Sequence, residues 1–285
     1  MHVDLKREVT RSTSGRFGIG LFVLILAMAL FAPLLAGYDP LAQSEVSLRA
    51  PSWGHLLGTN HVGQDIWSQL VYGARTSLLV GISVATVSTI LSAILGAASA
   101  LIGGLFDRIM MRIVDAFIVI PILVVLVLLA AYLQPSVWVL IIMLSLLSWQ
   151  GGARTVRAQA LSLKERMHVS AARCFGASRW YLIRRHIVPE LGPILVVGFI
   201  YSMRRAVFLE AGLAFIGISD PSTVSWGMMM KEAMDFSYLN AWTWWMIPAG
   251  VALSLTIIAI TFIGHSMEPA MDPRLKEEVE GEALA

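Results

Sequence analysis

Six apolar runs, separated by polar, basic or glycine-rich segments, set the pattern of the chain. Residues 17 to 36 carry no charge and reach membrane-spanning length. The run is long for the apolar core of a signal peptide, and Pro33-Leu34-Leu35 is not a small-residue cleavage site. An uncleaved first span with its N-terminus inside is therefore expected. Residues 38 to 73 are polar, with Gly58 and Gly63 marking turns, and Ile66, Leu70 and Tyr72 predict a short interfacial helix over 65–72. Residues 76 to 106 form a second uncharged run, rich in Gly81, Ser88, Ser92, Gly96 and other small residues that let membrane helices approach closely. Asp107, Arg108 and Arg112 read as a brief charged turn. A third span over 116–132 holds Pro121, a turn falls at Gln134-Pro135, and a fourth span over 137–150 ends at Gly151-Gly152 and Arg154. Residues 191 to 217 and 242 to 263 supply the fifth and sixth spans.

The polar segments differ in charge. The first sixteen residues hold Lys6, Arg7, Arg11 and Arg16. A basic island between the fourth and fifth spans holds Arg154, Arg157, Lys164, Arg166, Arg173, Arg179, Arg184 and Arg185. The tail adds Asp272, Arg274, Lys276 and a Glu cluster, whereas Gln134-Pro135 and residues 219 to 241 are poor in Lys and Arg. Six spans with both termini cytoplasmic satisfy the positive-inside rule, and Trp226, Trp242, Trp244 and Trp245 fit an outer aromatic belt. Composition agrees: 57% of the 285 residues are hydrophobic and 14% charged, against roughly 25% charged in an average globular chain. The fold class is all-α and polytopic. The net charge of +2 changes little. The single cysteine, Cys174, excludes an intrachain disulfide and a cysteine-built zinc or iron–sulfur site, and it reads as a small filler facing a reducing cytoplasm.

The basic island contains Ser170-Ala171-Ala172-Arg173-Cys174-Phe175-Gly176-Ala177-Ser178, then Ile187-Val188-Pro189-Glu190. The pattern predicts a short helix, a break at Gly176, and a second amphipathic helix ending before Pro189. Trp180, Ile183 and Ile187 recur on one face of that helix, with Arg179, Arg184 and Arg185 beside them. Such a hairpin needs a partner over its apolar face; the alternative is a hairpin lying on the lipid surface.

Ala171-Ala172, Gly176, Ile187 and Pro189 follow the spacing of the "EAA" loop of ABC-importer permeases. Gly54 to Asn60 with Gly63-Gln64-Asp65 and Gly73-Ala74-Arg75-Thr76-Ser77-Leu78 resembles the "LGTDxxGRD…GARxSL" segment of the peptide and nickel group of those permeases. Glu210-Ala211-Gly212-Leu213-Ala214-Phe215-Ile216-Gly217, Pro221 and Ser225-Trp226-Gly227 resemble its "EAxLSFLGLG…P…SWG" signature, and Val114-Asp115 with Ile120-Pro121 its third-helix pattern. Three positions depart: Ser170 stands where the family usually has Glu, Asn60 where it has Asp, and Gln64 where it has Arg. The ion pair between the last two would be replaced here by an amide hydrogen bond.

The chain is thus similar to the C-type permease subunits of dipeptide, oligopeptide and nickel importers, with the type I ABC-importer permease fold. The resemblance implies residues 1–73 as N-terminus, first span and extracytoplasmic segment, 74–266 as permease domain with coupling helices at about 158–189, and 267–285 as cytoplasmic tail. It implies Ser170, Ala171, Ala172, Gly176, Ala177, Ile187 and Pro189 at an ATPase-coupling surface. It implies a prokaryotic inner-membrane location and four kinds of neighbour: a second permease chain, two ATPase subunits, an extracytoplasmic binding protein and the bilayer. The solute is then a di- or oligopeptide; nickel or a metal chelate on the same fold is one alternative, a non-transporting scaffold or receptor another.

The sequence offers no G-x-S-x-G, H-E-x-x-H or G-x-x-x-x-G-K motif. No catalysis, cofactor or nucleic-acid binding is expected, and ATP hydrolysis is assigned to separate subunits. Arg204, Arg205 and Glu210 lie within the fifth span, where ionisable groups need partners or water. They read as pathway lining that meets an anionic group such as a peptide carboxylate, or as a bundle-stabilising pair that includes Asp115. His55, His61 and Asp65 match no metal spacing. Met228, Met229, Met230 and Met234 suit packing at a bundle mouth, with a soft metal as the alternative.

Overall fold

The computed structural model describes residues 9–10, 12–133 and 136–268. Among them all regular structure is helical: α1 (Thr13–Leu30), α2 (Ala32–Leu35), α3 (Ile66–Ile102), α4 (Gly104–Val119), α5 (Ile122–Tyr132), α6 (Val137–Leu146), α7 (Gln150–Lys164), α8 (Met167–Cys174), α9 (Arg179–Leu182), a π turn (Ile183–Ile187), α10 (Val188–Phe215), α11 (Trp226–Asp235) and α12 (Trp242–Met267). The turn at Gln134-Pro135, the N-terminal Lys6, Arg7 and Arg11, and the tail with Asp272, Arg274, Lys276 and its Glu residues lie outside the described residues.

Among the described residues, four helical runs are long and apolar enough to cross a membrane: Thr13–Leu30, Ile66–Ile102, Trp180–Phe215 and Trp242–Met267. Two bent pairs, α4 with α5 and α6 with α7, bring the total to six if each pair is one span. The third span is therefore not the single helix expected over 116–132. Pro121 has no N–H and pushes Ile120 into extended backbone, at ψ 128°. The chain turns by 85° there. The fourth span bends by 41° between α6 and α7. Two further expectations are corrected. Asp107, Arg108 and Arg112 lie in α4, not in a turn. The helix predicted over 65–72 is the first part of α3, which Asp65 caps by accepting from Ser68 N at 2.8 Å. At 37 residues, α3 runs about 55 Å, and residue 73, the expected domain boundary, falls inside it.

Small residues bring α3 against α7 and α10, as its composition predicts. A Cβ on Gly96 would lie 2.5 Å from Ala153 O, and one on Gly81 would lie 2.6 Å from Val207 Cγ2. Around the first half of α3, Ile66, Leu70 and Ala74 pack with Val207, Trp226, Met229 and Trp245. Trp226 and Trp245 are fully buried, so they belong to this core and not to an aromatic belt. The Trp226 indole lies on Gly73 and donates to Leu70 O at 2.9 Å. Trp242 remains at the surface.

Candidate functional site

Residues 167–187 form a helical hairpin whose bend the sequence explains. Helix α8 ends with Gly176 at φ +83°. Ala177 N donates to Ala172 O at 3.1 Å, the six-to-one bond of a Schellman close, which needs a left-handed residue in the fifth place. Ser178 then caps α9 by accepting from Tyr181 N at 3.3 Å. The second arm does not end before Pro189. It widens into a π turn, where Val188 N reaches Ile183 O, and continues as α10. That turn leaves room for a ring that would clash with the carbonyl four residues back in an α-helix.

The hairpin has two faces. Val169, Leu182 and Ile187 are buried, next to Leu101 and Ile102 at the end of α3. Phe175 is 92% exposed, Met167 87% and Trp180 69%, with Tyr181 also outward. Trp180 thus leaves the face that its spacing with Ile187 suggested, because the π turn shifts the register between them. Ser170, Ala171, Ala172 and Ala177 sit near the bend, and Pro189 is exposed at the start of α10. Glu190, which the pattern did not single out, closes the base by accepting from Arg166 at 2.6 Å and pairing with His168 at 2.9 Å. Cys174 is exposed.

The charged residues of the middle of the fold sort differently from expectation. Asp115 pairs with Arg154, and Asp107 takes Arg157 through both carboxylate oxygens, at 2.5 and 2.6 Å. Asp115 is therefore no partner of the α10 arginines. Glu210 is buried and accepts from Ser77 Oγ at 3.1 Å, with Ser225 also bonded to it, so it ties α10 to α3 and α11 inside the core. Arg204 lies 5.0 Å from the centre of the Tyr201 ring and 3.5 Å from Thr261 Oγ1, facing α12. Arg205 points the other way. It is exposed and has no acidic partner among the described residues. It borders a cavity of about 350 Å³ among α3, α7 and α10, with Ser92, Gly152, Thr155 and Ser202 on its walls. It also borders one of about 460 Å³ that Gln150, Gly151 and the break at Ile120-Pro121 complete.

At the opposite end from the hairpin, segment 36–65 folds on itself without regular structure. Asn60 Nδ2 donates to Gln64 Oε1 at 2.7 Å, the amide bond expected in place of an ion pair. His55 bonds to Asp65 at 2.9 Å, and His61 stacks on Phe236 and Trp245 at 4.9 and 5.7 Å. Burial holds the His61 imidazole below its ordinary pKa. Met229 is in the core and Met230 packs against it, while Met234 is exposed.

A helical membrane bundle with an exposed hairpin between its fourth and fifth spans, and a groove bordered by Arg205 along the fifth, has the form of a transport permease. The family comparison agrees: residues 88–277 match the binding-protein-dependent transport system inner membrane component, and the chain belongs to that family. Residues 7–51 match the N-terminal transmembrane domain of oligopeptide transport permease C. The chain is 38% identical to a Brucella suis protein named as a peptide transport system permease, over 95% of this chain and 92% of that one. It is 30% identical to the dipeptide transport system permease protein DppC of Bacillus subtilis, over 96% and 86%. A chain of the MetNI methionine ABC transporter, solved in inward-facing conformations, matches with a TM-score of 0.58 at 19% identity, over 71% of this chain and 96% of that one. The fold is thus that of an ABC-importer permease, and the protein is a multi-pass component of the inner membrane.

Proposed function

We propose that this chain is one of two permease subunits in an ATP-driven importer of di- or oligopeptides. Its partners are a different permease chain, two ATPase subunits under the hairpin, and an extracytoplasmic binding protein at the opposite end. The names of the similar proteins support peptides as the solute. The hairpin then faces the cytoplasm, and both termini lie on that side.

One observation carries the mechanism. The second arm of the hairpin and α10 are one helical run, Trp180–Phe215. Trp180, on the exposed surface, and Arg205, on the groove, are about 37 Å apart along that rod. Movement of an ATPase against Phe175, Trp180 and Tyr181 therefore displaces the wall that carries Arg205, a rigid-body form of alternating access. Arg205 is the pathway group in this reading. Its guanidinium, without an acidic partner among the described residues and with Ser92, Thr155 and Ser202 on the same cavity, suits a peptide carboxylate. Arg204 holds α10 to α12, and Glu210 and Asp115 hold the bundle.

The test is uptake in proteoliposomes holding the assembled importer. Arg205→Ala is expected to keep the subunits co-purifying and to reduce uptake of a peptide at least tenfold more than uptake of its C-terminal amide. Equal loss for both, with reduced co-purification, would make Arg205 a structural residue. Cys174 should react with an impermeant thiol reagent only from the cytoplasmic side, and docked ATPase should slow that reaction. Labelling from outside would overturn the topology.

A further inference from the structure

A third and smaller cavity, of about 160 Å³, lies at the end away from the hairpin, between segment 36–65 and α11. Gln69, His61, Glu232 and Met228 border it, with Leu41 and Pro221 at an exposed rim. Gln69 is buried, and its Oε1 has no hydrogen-bond partner among the described residues; nor has His61 Nδ1.

The direction of the Gln69 amide is fixed by a relay. Asn60 Oδ1 accepts from Val62 N and Gln64 N, at 3.0 and 2.8 Å, so Asn60 Nδ2 must be the group that meets Gln64. Gln64 therefore presents Oε1 there, while its Nε2 donates to Leu41 O at 3.1 Å. That same Oε1 accepts from Gln69 Nε2 at 2.8 Å, and Pro40 O accepts from it at 3.3 Å. Gln69, which borders the cavity, is left with its oxygen as the unpaired end of the amide. Burying such an acceptor alone costs stability. The two residues that set the relay, Asn60 and Gln64, are the two that depart from the Asp and Arg of the resembling family.

The cavity thus gathers acceptors: an amide oxygen, a carboxylate and an imidazole nitrogen that offers a lone pair when the ring proton is on Nε2. Burial raises the Glu232 carboxyl above its ordinary pKa, so a cation beside it would be favoured over an empty, charged carboxylate. One carboxylate balances one positive charge, whereas a divalent metal would keep an excess charge out of water. No three His, Cys, Asp or Glu side chains gather as metal ligands among the described residues. Three acceptors match the three N–H bonds of a primary ammonium, and Leu41, Val62 and Val224 suit the alkyl carbon that carries it.

We propose that the cavity formed by Gln69, His61 and Glu232 is a binding site for the primary ammonium group of a small amine solute, the free amino terminus of a peptide. The identity of the solute rests on the importer reading; the amine site itself does not. The probe is n-butylammonium, added to the assembled importer in nanodiscs without binding protein, with methionine methyl groups labelled with carbon-13. Saturable shifts of the Met228 methyl signal, assigned by its loss in Met228→Leu, are expected with n-butylammonium and not with n-butanol. Glu232→Gln should weaken the affinity at least tenfold with the same unfolding temperature. The double change Asn60→Asp with Gln64→Arg should weaken it similarly with Glu232 intact, because an arginine there is a donor and turns the Gln69 amide around. Absence of a saturable shift, an equal shift with n-butanol, or unchanged affinity in both variants would overturn the site. Failure of ATP-driven uptake for every peptide would instead sink the importer reading, since binding is measured without transport.

Discussion

Two segments between spans, 36–65 and 165–187, solve the same problem in opposite ways. The first has no helix, yet many of its polar groups bond to one another: Arg49 N and Val46 O both bond to Thr59 Oγ1, and Ser44 Oγ donates to Gly63 O at 2.8 Å. The second is almost entirely helical, yet it turns Met167, Phe175, Trp180 and Tyr181 outward. Backbone pairing completes the helical hairpin internally, so its side chains are free to form a surface. The irregular segment pairs part of its backbone with itself, as in Leu48 N to Asn60 O and Asn60 N to Gln64 O, both at 2.9 Å, and adds side chains at Arg49 N, Val46 O and Gly63 O. Regularity and self-sufficiency are therefore separate properties, and the more regular segment is the one that needs a partner.

The largest expected effect breaks the irregular segment. Gly63 has φ +79°, and a Cβ there would lie 2.1 Å from Ser44 O. Gly63→Ala adds backbone overlap to left-handed strain and should cost about 3 kcal/mol or more. It should be seen as a loss of folded, extractable protein and a lowered unfolding temperature. An unchanged unfolding temperature would show that segment 36–65 is not the tightly packed unit described.

On the hairpin, removing the exposed rings should leave folding alone and damage association. Phe175→Ala with Trp180→Ala is expected to lower affinity for the ATPase subunits at least tenfold, as loss of aromatic anchors does. The unfolding temperature of the permease alone should stay nearly constant, since exposed substitutions usually act within about 0.5 kcal/mol. Titration of ATPase onto the purified permease decides it, and undiminished affinity would place the docking surface elsewhere. Gly176 sharpens the contrast with Gly63. Its φ is +83°, but nothing lies within 4 Å of a Cβ placed there. Gly176→Ala should carry only the left-handed penalty, about 1–2 kcal/mol. The protein should still assemble, with ATP-driven uptake reduced severalfold, and Gly176→Asn should recover most of it.

How much of this was legible follows from what each signal encodes. The apolar runs located the four long spans, because length and lack of charge are local, but not the broken third one, whose first half carries Asp107, Arg108 and Arg112. Gly176 was readable as a bend, and Asn60 with Gln64 as an amide pair, since both facts lie within a few residues. Partners across the bundle were not readable: Asp115 meets Arg154 rather than an α10 arginine because an 85° bend at Pro121 re-aims α4. Trp226 and Trp245 looked like interface residues until long-range packing on Gly73 and His61 enclosed them. The outward turn of Trp180 depends on a π turn that no hydrophobic period announces. Arg205 was legible as an anomaly, but that it meets no acidic side chain among the described residues required the positions of α3, α4 and α7.

The smallest expected effect returns to segment 36–65 and asks whether its bonds are interchangeable. Asn60→Asp places a carboxylate oxygen opposite Gln64 Oε1, two acceptors where a 2.7 Å bond now runs. Gln64 would turn to donate from Nε2, and in turning it would surrender both its bond to Leu41 O and the oxygen that Gln69 Nε2 uses. The single change should thus cost about 1–2 kcal/mol, the net worth of two ordinary hydrogen bonds at the low end of their range, rather than several. Adding Gln64→Arg supplies a donor to the new carboxylate and should restore most of the unfolding temperature, with a coupling between the two sites that a double-mutant cycle measures. If the two changes instead add, the amide pair is incidental, and the order in segment 36–65 comes from Gly58, Gly63 and Thr59 alone.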